Sequence, residues 1–127
     1  MTLDSPPHVA RHDSLVFLIV CRDGPDAKSL RVSHLDGHLA HVEAHWRRYI
    51  LAGPLRQPGE PDLMGSYFLV RAPDADDARA LMQGDPYVSS GMYAGMEVLE
   101  ATPSIGLFMQ GKIWADPDSI RDRATGG

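Results

Sequence analysis

The chain has 127 residues, of which 43% are hydrophobic, and twelve Lys plus Arg against seventeen Asp plus Glu leave a formal net charge of -5. That length and apolar content suit one domain with its own core and no need of disulfides or metal as staples, and the single Cys21 has no partner for an internal bridge. The acidic balance, with no basic run interleaved with aromatics, argues against nucleic acid as a partner.

Met1 to Asp13, with Pro6 and Pro7 and a polar, aperiodic remainder, reads as a flexible leader. It lacks the basic start and small-residue cleavage site of a signal peptide. The run that follows, Leu15 to Cys21, is about a third of a membrane span, so a cytoplasmic protein without a membrane partner is expected. Its β-branched and aromatic residues, closed by the turn-prone Asp23-Gly24-Pro25-Asp26, predict a central strand. Lys28 to Arg48 contains no proline, and Leu35, Leu39, Val42 and Trp46 recur at helical spacing, predicting one helix with an apolar stripe.

Tyr49-Ile50-Leu51-Ala52, ending at Gly53-Pro54, and Gly65 to Ala72 predict a second and third strand, paired as a hairpin across a loop with Pro58, Gly59 and Pro61. Asp74 sits where an N-cap belongs, with Asp76 and Asp77 favouring the positive end of the helix dipole, so a second helix runs from there to about Gly84. Asp85-Pro86-Tyr87 predicts a turn, and Met92 to Thr102 a last strand. The order β-α-β-β-α-β is the ferredoxin-like α+β plan, four antiparallel strands with two helices on one face. The other sheet face would leave an apolar patch larger than monomers normally expose, so two sheets are expected to pair in a homodimer. Beyond Pro103, apolar residues such as Leu107, Phe108 and Trp114 suggest an added strand or dimer contact. The expected domain is therefore 14–115, with 116–127 as a mobile tail.

Four imidazoles, His34, His38, His41 and His45, fall within an arc of roughly 60° beside the apolar stripe. The outer pair lie roughly 16 Å apart along a helix, so no single ion could take all four. A neighbouring pair would need a third ligand that the sequence does not supply in any matching cluster. No metal or other cofactor is expected.

The segment His38-Leu39-Ala40 through Ala52-Gly53-Pro54-Leu55 resembles the His-Leu-Ala helix and following Ala-Gly-Pro-Leu strand of the YciI-related family. Asp85-Pro86-Tyr87-Val88-Ser89-Ser90-Gly91-Met92-Tyr93 is similar to that family's Asp-Pro-Tyr-Val-x-x-Gly-x-Tyr. The resemblance covers about Leu15 to Leu99. It implies a dimeric α+β barrel, and an acid–base pair at His38 and Asp85 in a pocket at the end of the helix. Lactone isomerases and a dehydrochlorinase of hydroxylated aromatics share this architecture, so it also implies proton transfer (isomerisation, elimination or hydrolysis) on a small cyclic or aromatic metabolite.

The residues themselves allow this chemistry and alternatives to it. A His can exchange a proton near neutral pH, and a carboxylate on its other nitrogen fixes the tautomer. Asp85 is equally read as a turn or capping residue ahead of Pro86, and His34 would replace His38 if the alignment slipped one turn; spacing to Gly53 favours His38. Gly53 and Pro54 would admit a ligand close to the backbone, and Tyr87 and Tyr93 could wall the pocket. Arg31 could hold an anionic group, although a surface role is the commoner one for Arg. A non-catalytic module that binds a small ligand or a protein partner is the rival reading.

Overall fold

The computed structural model describes residues 5–121. They divide into two compact units, Ser14–Ala101 and a second one made from the flanking segments.

In the first unit, β1 (Leu15–Asp23), β2 (Tyr49–Leu55), β3 (Gly65–Ala72) and β4 (Tyr93–Ala101) form one sheet in the order β2-β3-β1-β4, every neighbouring pair antiparallel. This is the ferredoxin-like order. It puts the most apolar strand, β1, in the interior, with both backbone edges paired. Strand alternation then sorts the side chains. Phe17, Ile19 and Cys21 of β1 and Phe68, Val70 and Ala72 of β3 are buried against Ala78, Leu81 and Met82 of α3 (Ala75–Gln83). Each large side chain so buried contributes about 1.5–3 kcal/mol of transfer free energy.

The opposite face carries a row of leucines. Leu51 of β2, Leu69 of β3, Leu18 of β1 and Leu99 of β4 are direct cross-strand partners in turn, and the outer two, Leu51 and Leu99, are 39% and 44% exposed.

The Asp74 side chain accepts the Asp77 N–H at 2.8 Å and caps α3, and Gly84 follows its last residue. Arg48 reaches across to the Asp77 carboxylate. The expected turn after Gly84 is a single helical turn, α4 (Pro86–Ser89), with Asp85 as its N-cap and Pro86 in the first turn, where a missing N–H costs nothing.

The single helix predicted over Lys28 to Arg48 is three pieces: α1 (Ala27–Ser33), α2 (Leu35–Ala44) and a 3-10 turn at Trp46–Arg48. His34 leaves helical geometry at φ -108° and ψ 12° and divides α1 from α2. The two helices answer to different anchors. Ala27 of α1 packs with Tyr87 and Met92, whereas α2 buries no residue fully. Its apolar stripe is not core: Leu35 and Leu39 are 44% and 47% exposed. The histidine flank is the docked one, because polar acceptors at the end of α3 and the start of α4 give it partners.

In the second unit, β5 (Ile105–Gly106) and β6 (Gly111–Lys112) form a two-stranded hairpin. The segment around His8 lies along it, with the Val9 N–H donating to the Lys112 carbonyl at 2.7 Å and the Lys112 N–H to Pro7 at 2.9 Å. Pro117–Ile120 forms a 3-10 turn. The ends of the expected leader and tail, 1–4 and 122–127, lie outside the described residues.

Candidate active site

Asp85 is fully buried, at 0% exposure. A carboxylate in that position needs donors on both oxygens. Its extended backbone (φ -87°, ψ 123°), as expected before a proline, aims Oδ1 at the Tyr87 N–H, which donates at 2.9 Å. Oδ2 lies 2.7 Å from His38 Nδ1. The two readings of Asp85, helix cap and histidine partner, are thus both realised, one on each oxygen.

His38 reaches Asp85 because α2 comes very close to α4. A Cβ added to Gly37 would lie 2.9 Å from Pro86 Cγ, so a larger residue there would wedge the helices apart. One turn further on, His41 Nε2 donates to the Leu81 carbonyl at 2.8 Å. A Cβ on Gly84 would sit 2.8 Å from the His41 ring. Two histidines on one helix and two glycines at the contact therefore set the approach of α2 to α3 and α4.

An ionised carboxylate can only accept, so Nδ1 carries the proton and Nε2 is left with its lone pair. Among the described residues Nε2 has no hydrogen-bond partner. The ring is stacked on Tyr87 at 3.9 Å between centroids and 5° between planes, which fixes its orientation a second time. The Tyr87 hydroxyl donates to the Arg31 carbonyl at 3.2 Å. Burial pushes the phenols of Tyr49, Tyr87 and Tyr93 up, with the negative charge of Asp85 adding to the effect, so these hydroxyls keep their protons. The Cys21 thiol, in the core beneath, is pushed up to about 12 by burial.

His38 borders a cavity of about 290 Å³, walled also by Leu35 and Leu39 of α2, Gly53 and Pro54 of β2, and Phe68 of β3. The exposed leucines of α2 are therefore cavity wall. Arg31 and Tyr87 border it too. The bidentate partner of Arg31 is Asp23 of the same chain, at 2.9 and 3.0 Å, and this pairing raises Arg31 above its ordinary value. Tyr93 stands behind the wall, its hydroxyl donating to Ser66 Oγ at 2.8 Å and its ring edge-on to Tyr87. His34, at the junction of α1 and α2, does not border the cavity.

Sequence reasoning missed Asp23, read only as a turn residue, and Ser66. The signal for Asp23 was its position eight residues before Arg31, across a turn that folds the two together. Among the described residues no three His, Cys, Asp or Glu side chains are grouped to hold a metal ion. His41 and His45 have rings 4.7 Å apart, but His41 Nε2 is bonded to a carbonyl. Among the described residues no helix is long and apolar enough to cross a membrane.

The chain belongs to the family with a YCII-related domain: the family model matches residues 15–102. Among curated relatives, the chain is 28% identical over 91 residues to the protein YciI of Escherichia coli O6:H1 and equally to that of Shigella flexneri, covering 66% of this chain and 93% of each of them. Among solved structures it is similar to 5-chloro-2-hydroxyhydroquinone dehydrochlorinase from Burkholderia phenoliruptrix AC1100, in complex with 2,5-dihydroxybenzoquinone. The TM-score is 0.62 at 25% identity, over 72% of this chain and 95% of the other.

Proposed function

We propose that this chain is an enzyme that moves a proton on a small aromatic or cyclic metabolite, with His38 as the acid–base group and Asp85 as the residue that orients it. The observation that carries the reading is the 2.7 Å contact between His38 Nδ1 and a fully buried Asp85, with His38 at the wall of a cavity. Nε2 takes a proton from the substrate; the electron pair left behind forms a new double bond and expels a leaving group, or shifts so that the proton returns elsewhere. Asp85 stabilises the imidazolium formed in between. The likeness to a dehydrochlorinase of a hydroxylated aromatic ring supports this substrate class, and the apolar walls with Tyr87 suit a flat ring.

The leucine row across the four strands supports a homodimer joined through that sheet face. The catalytic reading is tested by screening hydroxylated, halogenated aromatics and lactones with the wild type and His38→Ala. Turnover that falls by about 10²–10⁴ in the variant is expected. Turnover that survives His38→Ala, or binding with no turnover of any compound, would refute it, the latter in favour of a ligand-binding module.

A further inference from the structure

A second cavity, of about 630 Å³, opens beside the one at His38. It lies between the turn after β1 and the loop from β2 to β3, and its walls include Pro25, Ala27, Val32 and Pro61 together with the charged Asp23, Lys28 and Asp62. The two cavities share Arg31, Leu35, Leu63 and Tyr87, so they are adjoining chambers with a common wall. The smaller falls just under the range of drug-sized pockets, roughly 300–1,000 Å³, and the larger lies well within it. A single ring, such as the dihydroxybenzoquinone bound by the dehydrochlorinase, has no use for the larger chamber.

We infer that the substrate is a two-part molecule: a hydroxylated ring beside His38 and an uncharged apolar arm, alkyl or aryl, that passes Leu35, Leu63 and Tyr87 into the larger chamber. This deepens the proposed function and rests on it for the position of the ring. The arm is uncharged because the charged residues bordering the larger chamber offset one another, Arg31 and Lys28 against Asp23 and Asp62: Arg31 holds Asp23 in a bidentate pair, and its guanidinium lies 5.9 Å from the Tyr87 ring centre. A carboxylate arm would have to compete with Asp23 for the Arg31 donors and would meet Asp62 as well as Lys28, whereas an alkyl arm finds proline, alanine, valine and leucine.

The test is the affinity of resorcinol, ethylresorcinol, butylresorcinol and hexylresorcinol, by titration calorimetry, for the wild type and for Val32→Trp. Val32 is 77% exposed while bordering the chamber, so the larger residue can fill space without disturbing the core. Full burial of a methylene is worth about fourfold in affinity and half burial about twofold. A gain of roughly 15- to 250-fold from ethyl to hexyl is therefore expected. Val32→Trp should weaken hexylresorcinol at least about tenfold and leave resorcinol within about twofold. Affinity that is flat along the series while resorcinol binds would overturn the inference alone, as would a gain that Val32→Trp does not touch. Binding by none of the four would overturn it together with the placement of the ring. Turnover is not read here, so a failure of the catalytic reading shows separately, in the His38→Ala screen.

Discussion

Replacing Asp85 by Asn and by Ala separates its two roles. In Asp85→Asn the amide oxygen can still accept the Tyr87 N–H, now 2.9 Å from Oδ1, which leaves the NH2 group facing His38 across the present 2.7 Å contact. An amide NH2 only donates, so His38 must accept at Nδ1 and carry its proton on Nε2. The hydrogen bonds are all kept, though no longer charge-assisted, and the stability cost should stay near 1 kcal/mol. Asp85→Ala removes the cap, about 1 kcal/mol, and a charge-assisted bond, about 1.5–3 kcal/mol, and leaves the Tyr87 N–H unpaired, for a total of roughly 3–4 kcal/mol.

In thermal unfolding, at roughly 3–5 °C per kcal/mol for a domain of this size, the Asn variant should lose about 3–5 °C and the Ala variant about 10–20 °C. Nitrogen-15 NMR of the imidazole at mildly alkaline pH should report the Nδ1–H tautomer in the wild type and the Nε2–H tautomer in Asp85→Asn. Any proton-transfer activity should fall by about 10²–10⁴ in the Asn variant, whose fold is nearly intact. A wild type already in the Nε2–H tautomer, or an Asn variant that unfolds as readily as the Ala one, would refute this account of the pair.

Gly37→Ala should run against the usual helix preference. Mid-helix it would ordinarily stabilise by about 0.5–1 kcal/mol, but with Pro86 Cγ at 2.9 Å from the new Cβ it should cost about 1–3 kcal/mol in denaturant unfolding and lengthen the His38–Asp85 contact. Cys21 should resist Ellman's reagent at pH 8 until denaturant is added, since its thiol is pushed from the ordinary 9.0 to about 12. By the same shift, the unfolded chain loses this proton before the folded one does. The stability contributed is complete below about pH 9 and declines as pH rises toward 12, and Tyr49 and Tyr93 shift in the same direction; a thermal midpoint unchanged across that window would contradict it. Leu69→Glu, in the middle of the leucine row, should convert a dimer to monomer in sedimentation equilibrium while the sheet's far-ultraviolet spectrum persists; a wild type that sediments as a monomer would remove the sheet-face interface.

Much of the sheet could be read from local pattern. The β-branched run ending at Cys21 read as a central strand, and Asp74 with Asp76 and Asp77 marked the start of α3. The His-Leu-Ala and Asp-Pro-Tyr segments named His38 and Asp85, 47 residues apart, as partners. Periodicity, however, reports that a helix has two faces without saying which one is docked. Leu35 and Leu39 looked like the buried stripe, yet cavity lies against them, and the histidine flank meets the core because Asp85 and the Leu81 carbonyl wait there. The break at His34 has no proline or glycine to announce it. It arises where α1, held by Ala27 and the Arg31–Asp23 pair, gives way to α2, held by His38 and His41. What the sequence by itself determined is the set of elements and the residues able to do chemistry, since propensity and capping act within a few residues. Only the tertiary structure decided which faces meet and which walls a cavity shares, because those depend on how closely distant segments pack, as Gly37 against Pro86 permits.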